Sequence, residues 1–545
     1  MEVRFSPVRS RSRLLRLSPL VLIGVMLVVL FPAAPAARAV VPFTPAPCPI
    51  AAIPGLSLDC GYLTVPESRS NFTGKTIKLA VAIMRSPNPN KAADPAVFLQ
   101  GGPGGATLPL AEILALTYGP TLAQRDIILM DQRGTGYSEP RLDCALFATA
   151  SQRKLALAAE SSELPDFIQA QVDALAQCGQ QLKAAGIDLK AYNSAENAAD
   201  YEDLRLALGY GPWNVIGASY GSRLALTMLR FRPETLRSVV LDSAYPYQVN
   251  FHVDVFSSYN RTLSLLAADC AAQPSCNRAY PNLLGTFDAL YARLNANEAQ
   301  VPVIDPNTDQ IVTYLPVSGV TFSSLVFQLF YSTGVIPLMP AIIGETAKGD
   351  YTLLGLILGL LLIPQGETPP QAGQALGMLT AVQCNEDATF ASRKDFVKAR
   401  DKNRRAAALA FQVPFHEGFL DVCDAWGLNN PNKDENKGVR SDRPVMIISG
   451  TNDPITPPDY AKTAASTLKN SFIVSYPRGG HGPSIGSPCL ANAVAAFIAT
   501  PGQQPDTSCI AQETPQPFVT PPTTSSKNFK FRLKPLVRTL RLQGQ

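Results

Sequence analysis

Trp213-Asn-Val-Ile-Gly-Ala-Ser-Tyr-Gly-Ser-Arg223 places a serine where a strand hands over to a helix. Residues 214–216 read as a short buried strand and residues 222–230 as the helix that follows it. Between them, Gly217-Ala-Ser-Tyr-Gly221 fits Gly-x-Ser-x-Gly, an elbow so tight that small residues must flank the serine. The serine is expected in a strained backbone conformation with its hydroxyl exposed. Five residues alone are a weak signal, because glycine and serine are common in turns. The strand before and the helix after turn it into a nucleophile signal.

Outward from this elbow, short apolar runs recur at 77–83, 96–100, 127–131, 214–219 and 238–242, with a helical pattern around 198–208. Strands alternating with helices predict an α/β fold, a mostly parallel sheet flanked by helices on both faces. The rhythm breaks after Tyr245 and resumes at 445–449 and 472–476. Residues 246–440 are therefore expected to form a large, mainly helical lid over the carboxyl edge of the sheet, with core segments at 40–245 and 441–509. The apolar run 353–363 is too short for a membrane span and suits a helix packed inside the lid.

The amino end carries Arg4, Arg9, Arg11, Arg13 and Arg16, then an apolar stretch at 20–31 and Ala37-Arg-Ala39. That layout reads as a signal peptide over residues 1–39, which implies a secreted, periplasmic or other extracytoplasmic location. Ten cysteines in an exported chain read as disulfides. A zinc site would need close Cys-x-x-Cys pairs or histidine partners, and the sequence has neither. Connectivity does not follow from sequence; pairing of neighbours in order is the working expectation. Residues 510–545 turn Pro/Thr/Gln-rich and then basic, and are expected to form a disordered tail suited at most to weak contact with an anionic envelope surface. A net charge of +4, with no basic stripe through the middle, offers no case for nucleic acid.

A serine nucleophile needs a base, and a base needs an acid to orient it. The three histidines are His252, His416 and His481. His481 follows the last expected strand in Arg478-Gly-Gly-His-Gly482, where glycines let a loop return to the nucleophile; the other two fall in the lid. Asp453 lies on a turn after the preceding strand, in Gly450-Thr-Asn-Asp-Pro-Ile-Thr-Pro457. The order Ser219, Asp453, His481 with this strand context nominates a catalytic triad. Oxyanion donors are expected from the amide of Tyr220, which opens the helix, and from Gly102 in Gln100-Gly-Gly-Pro-Gly-Gly105. No metal or organic cofactor is implied.

Gly101-Gly-Pro-Gly104, Asp131-Gln-Arg-Gly-Thr-Gly-Tyr-Ser138 and Gly217-Ala-Ser-Tyr-Gly221 resemble the prolyl aminopeptidase and tripeptidyl aminopeptidase group of α/β-hydrolases. The likeness runs over roughly residues 45–500 and is weakest in the lid; Gln100 stands where many members have histidine. It implies lid carboxylates that hold the free α-amino group of a peptide, and Ala381-Val-Gln-Cys-Asn-Glu-Asp387 nominates Glu386 and Asp387 for that role. Arg133 is expected to brace its loop rather than touch substrate. The resemblance implies an exported serine hydrolase that removes residues from free peptide N-termini. A carboxylesterase or lipase would use the same triad, and a noncatalytic binder on this scaffold is the remaining alternative.

Overall fold

The computed structural model describes residues 41–145, 147, 164–363, 370–429 and 435–520. The expected leader, 1–39, lies outside the described residues, as does the tail beyond 520. Among the described residues, nine strands form one sheet in the order β1 (Phe43–Pro45), β2 (Leu58–Pro66), β3 (Thr76–Met84), β5 (Ile127–Met130), β4 (Ala96–Leu99), β6 (Trp213–Ala218), β7 (Leu236–Asp242), β10 (Val445–Gly450) and β11 (Ser471–Tyr476). The β1–β2, β2–β3 and β3–β5 pairs are antiparallel, and every pair from β5 through β11 is parallel.

The central strands are covered on both sides, which is why they read as unbroken apolar runs. Successive residues go to opposite faces. Val97, Leu99, Val215, Val239 and Ile447 meet Tyr201, Leu204, Leu224 and Met228 on one side. Phe98, Ile216, Val240, Met446 and Ile448 meet Leu114, Leu490, Val494 and Phe497 on the other. The helix Ser194–Ala207 starts where the Asn193 side chain accepts from the Glu196 amide.

Between Asp242 and Val445 the described chain is mostly helical, from Phe251–Ala272 to Phe419–Trp426. It also holds an antiparallel hairpin, β8 (Ala299–Ile304) with β9 (Ile311–Val317), which the sequence reading did not anticipate. The apolar run becomes the helix Thr352–Leu362. Leu353, Leu354, Ile357 and Leu358 enter the core of this insertion, and Leu361 and Leu362 are left exposed. The insertion reaches the loops at the carboxyl ends of the sheet. Ala375 donates its amide to Gly104 O (2.9 Å), His481 donates its amide to Tyr331 O (2.9 Å), and Arg261 donates to Thr451 O (2.8 Å) and Asp453 O (2.9 Å).

All ten cysteines pair with their neighbours in order: Cys48–Cys60, Cys144–Cys178, Cys270–Cys276, Cys384–Cys423 and Cys489–Cys509. The expectation of disorder beyond Cys509 is corrected for residues 510–520. Glu513 accepts from the Cys489 amide (2.7 Å) and Ser487 Oγ (2.5 Å), and Phe518 is buried against the insertion with Arg478 over its ring. Apolar burial of Phe518 and the half-buried Glu513 carboxylate hold a segment whose composition alone suggested no order. Among the described residues, no helix is long and apolar enough to cross a membrane.

Candidate active site

Ser219 joins β6 to the helix Tyr220–Phe231 with φ 56° and ψ −124°, a conformation that side-chain-bearing residues rarely adopt. Neighbouring backbones leave no choice of residue around it. A Cβ on Gly221 would lie 2.0 Å from Leu99 O, and one on Gly101 would lie 2.8 Å from Ser219 Cβ. Both positions must be glycine for the loop after β4 to press against the serine. That loop carries Gly102, whose φ of 115° is also glycine territory. The Tyr220 amide belongs to the first helical turn, whose N–H groups have no intrahelical acceptor.

Asp453 and His481 meet at the carboxyl ends of β10 and β11. His481 Nδ1 lies 2.8 Å from Asp453 Oδ2. Asp453 is fully buried, and the turn it starts supplies all of its remaining partners but one, Ser243. Oδ1 accepts from the amides of Ile455 and Thr456 (2.9 Å each); Oδ2 accepts from Thr456 Oγ1 (2.6 Å) and Ser243 Oγ (3.0 Å). Burial pushes the Asp453 carboxyl up, but His481 and these hydrogen bonds outweigh it and leave its pKa below the ordinary value. Burial draws His481 toward its neutral form. The charge and hydrogen bond of Asp453, with a smaller push from Asp242, reverse this and raise its pKa above 6.5. The pair is thus built to hold an imidazolium.

The other two histidines are placed differently. His252 is fully buried in the insertion, with Nδ1 at 2.5 Å from Pro414 O, and burial lowers its pKa to about 3. His416 Nδ1 accepts from the Gly418 amide at 2.9 Å.

The turn after β5 is scaffolding. Asp131 accepts from the amides of Thr107 (2.6 Å), Leu108 (2.9 Å) and Tyr137 (2.7 Å), which ties the loops after β4 and β5 together. Burial raises its pKa to about 6. Arg133 has no exposed surface; it forks onto Asp200 with two 2.8 Å bonds and donates to Glu67 O (2.6 Å) and Ala191 O (2.7 Å), the bracing role expected of it.

Glu386 and Asp387 end the helix Leu376–Glu386, whose start docks on the glycine loop, and both are buried. Their settings differ. Glu386 accepts from the Ser194 amide (2.5 Å) and Ser194 Oγ (2.7 Å) and lies 3.4 Å from Arg223 Nε. Asp387 Oδ2 accepts from the Tyr245 hydroxyl and lies 3.9 Å from His252 Nε2. Burial raises the pKa of both, Asp387 to about 6, against the opposing charge of Arg223. Arg223 itself, four residues after Ser219, sits between the rings of Tyr245 (4.6 Å) and Tyr247 (4.2 Å) and donates to Glu386 O (2.8 Å).

Sequence reasoning missed Ser243, Thr456, Asp242 and Arg223. The Asp-Pro-Ile-Thr turn could have nominated Thr456, because an aspartate there accepts the amides two and three residues on. Nothing local marks Ser243.

This is an α/β-hydrolase. The family model described as alpha/beta hydrolase fold matches residues 94–332, and the one described as TAP-like protein matches residues 408–509. Within the fold, its similarities run to tripeptidyl aminopeptidase-like proteins. It is 23% identical over 489 residues to a tripeptidyl aminopeptidase of Streptomyces coelicolor, covering 84% of each chain. It is 23% identical over 477 residues to the putative hydrolase YuaR of Escherichia coli, covering 83% of this chain and 87% of that one. It is 24% identical over 454 residues to the serine protease Hip1 of Mycobacterium tuberculosis, covering 77% of this chain and 81% of that one.

Proposed function

We propose that the chain is an exported serine aminopeptidase that cleaves residues or short peptides from free peptide N-termini through an acyl-enzyme. The observation that carries the reading is the Asp453–His481 pair, at the same carboxyl edge of the sheet as a serine held at positive φ. Ser219 Oγ attacks the scissile carbonyl while His481 takes its proton, and Asp453 orients and stabilises the imidazolium. The amides of Tyr220 and Gly102 bind the oxyanion that develops. His481 then protonates the leaving amine, and water releases the acyl group by the reverse sequence. Five disulfides suit an oxidising compartment and support export.

Glu386 and Asp387 are the proposed anchors for the substrate ammonium, which on burial needs an opposite charge. Glu386 is already engaged by Ser194 and Arg223, so the main weight falls on Asp387. The test is N-acetylation of a peptide that the enzyme cleaves. Removal of the α-amino charge abolishes cleavage under this reading; equal cleavage of free and acetylated peptides would transfer the site to the esterase or endopeptidase alternative.

A further inference from the structure

Ser243 directly follows β7, fully buried, at φ 60°. Glycine occupies that region without steric conflict and serine does not. Each polar group of this strained residue is used. Its amide donates to Ile448 O of β10 (2.9 Å), and its carbonyl accepts from Ser222 Oγ (3.3 Å), on the helix that starts at the nucleophile. Its hydroxyl donates to Asp453 Oδ2 (3.0 Å) and accepts from the amide of Gly482 (2.8 Å), the residue after His481.

We propose that Ser243 is a positioning residue for the Asp453–His481 pair, and that its left-handed backbone is retained because it delivers this hydroxyl. The proposal rests on the reading of Ser219, Asp453 and His481 as the catalytic set. The other hydroxyl on Asp453 Oδ2, that of Thr456, belongs to the same turn as Asp453 and moves with it. Ser243 comes from a different strand. One oxygen therefore fixes the carboxylate from outside its own loop and, through Gly482, fixes the backbone that carries the imidazole. Neither loop can shift relative to the other without breaking a bond to that oxygen. Its carbonyl and amide extend the same tie to the nucleophile helix and to β10.

The test compares Ser243→Gly with Ser243→Ala in the full chain. Glycine removes the hydroxyl and also relieves the backbone, so its thermal midpoint should exceed that of the alanine variant. Both should lose tenfold or more in kcat on a small acyl ester, with KM unchanged. The acid limb of the pH–kcat profile should move down, because a loosened contact with Asp453 no longer holds the His481 pKa up. A folded glycine variant with wild-type kcat and an unmoved acid limb overturns the proposal. So does a loss of activity that follows the thermal midpoint alone, with the limb unmoved, since that is a purely structural role. Ser219→Ala, run alongside, reports on the underlying assignment separately: retained turnover there refutes the catalytic set itself.

Discussion

Glu386 and Asp387 are adjacent yet held by different partners, and replacing each carboxylate with its amide separates a structural tie from a substrate anchor. Glu386→Gln removes the charge 3.4 Å from Arg223 Nε while keeping an oxygen for the Ser194 amide. Breaking a buried pair by removing one partner costs ~3–5 kcal/mol. This pair exists in the empty enzyme, so the loss should appear in denaturant unfolding, with kcat/KM of the folded fraction changed less than about tenfold. Asp387→Asn keeps an acceptor for Tyr245 and relieves the burial of a charge, though Arg223 also loses that charge, so folding stability should fall less than in Glu386→Gln. The substrate ammonium, in contrast, loses its counter-charge. A loss of ~3 kcal/mol corresponds to about 100-fold in kcat/KM at about 1.4 kcal/mol per decade. The assay is kcat/KM for a free-amine peptide divided by that for a small neutral ester, which reports the amine contact and cancels shared chemistry. The wild-type ratio should rise as pH increases through about 6, where Asp387 ionises, and this rise should vanish in Asp387→Asn. If Asp387→Asn lowers peptide and ester turnover by the same factor, the anchor reasoning is refuted.

Ser219→Ala and His481→Ala should each lower kcat at least ~10³-fold in folded protein, whereas His252→Ala and His416→Ala should leave the pH profile of kcat unmoved; titration of kcat against pH for all four decides the base. Asp453→Asn should move the acid limb of kcat/KM to lower pH, because burial then lowers the His481 pKa with Asp242 as the remaining buried charge opposing it. Activity needs neutral His481, so the limb rises with pH through that pKa in both proteins, and an upward shift in the variant would count against the pairing.

The central strands were legible because burial on both faces makes them continuous apolar runs: 96–100, 127–131 and 445–449 all fall within a residue of β4, β5 and β10. Of the antiparallel edge, β3 was legible as the run 77–83, but β1 and β2 were not. Leu58–Pro66 carries Asp59, Gly61 and Pro66 and alternates buried with partly exposed positions, which mutes the apolar signal. The β8–β9 hairpin has a turn signal in Asp305-Pro-Asn-Thr-Asp309, but a long helical stretch on either side hides it. At the site, chain order and three histidines sufficed to nominate Ser219, Asp453 and His481. The lid acids could be nominated and not sorted, because Ser194 and Arg223, 192 and 163 residues away from Glu386, decide which carboxylate is engaged. Ser243 was invisible for the same reason: its role is set by a strain and two contacts that no local pattern records.

Counting the cysteines in chain order, the disulfides run strictly from the first, third, fifth, seventh and ninth to the next one along, with separations of 6 to 39 residues. For a polypeptide threaded amino end first into an oxidising space, each arriving even-numbered cysteine finds one unmated thiol ahead of it, and that thiol is its native mate. Oxidation can thus keep pace with emergence, without mispaired crosslinks to be undone. The same pattern leaves the stretch between β7 and β10 closed upon itself, with no covalent staple to the sheet. Replacing it would therefore break no disulfide elsewhere in the chain, and every tie lost to the core would be a noncovalent one such as Glu386 to Ser194.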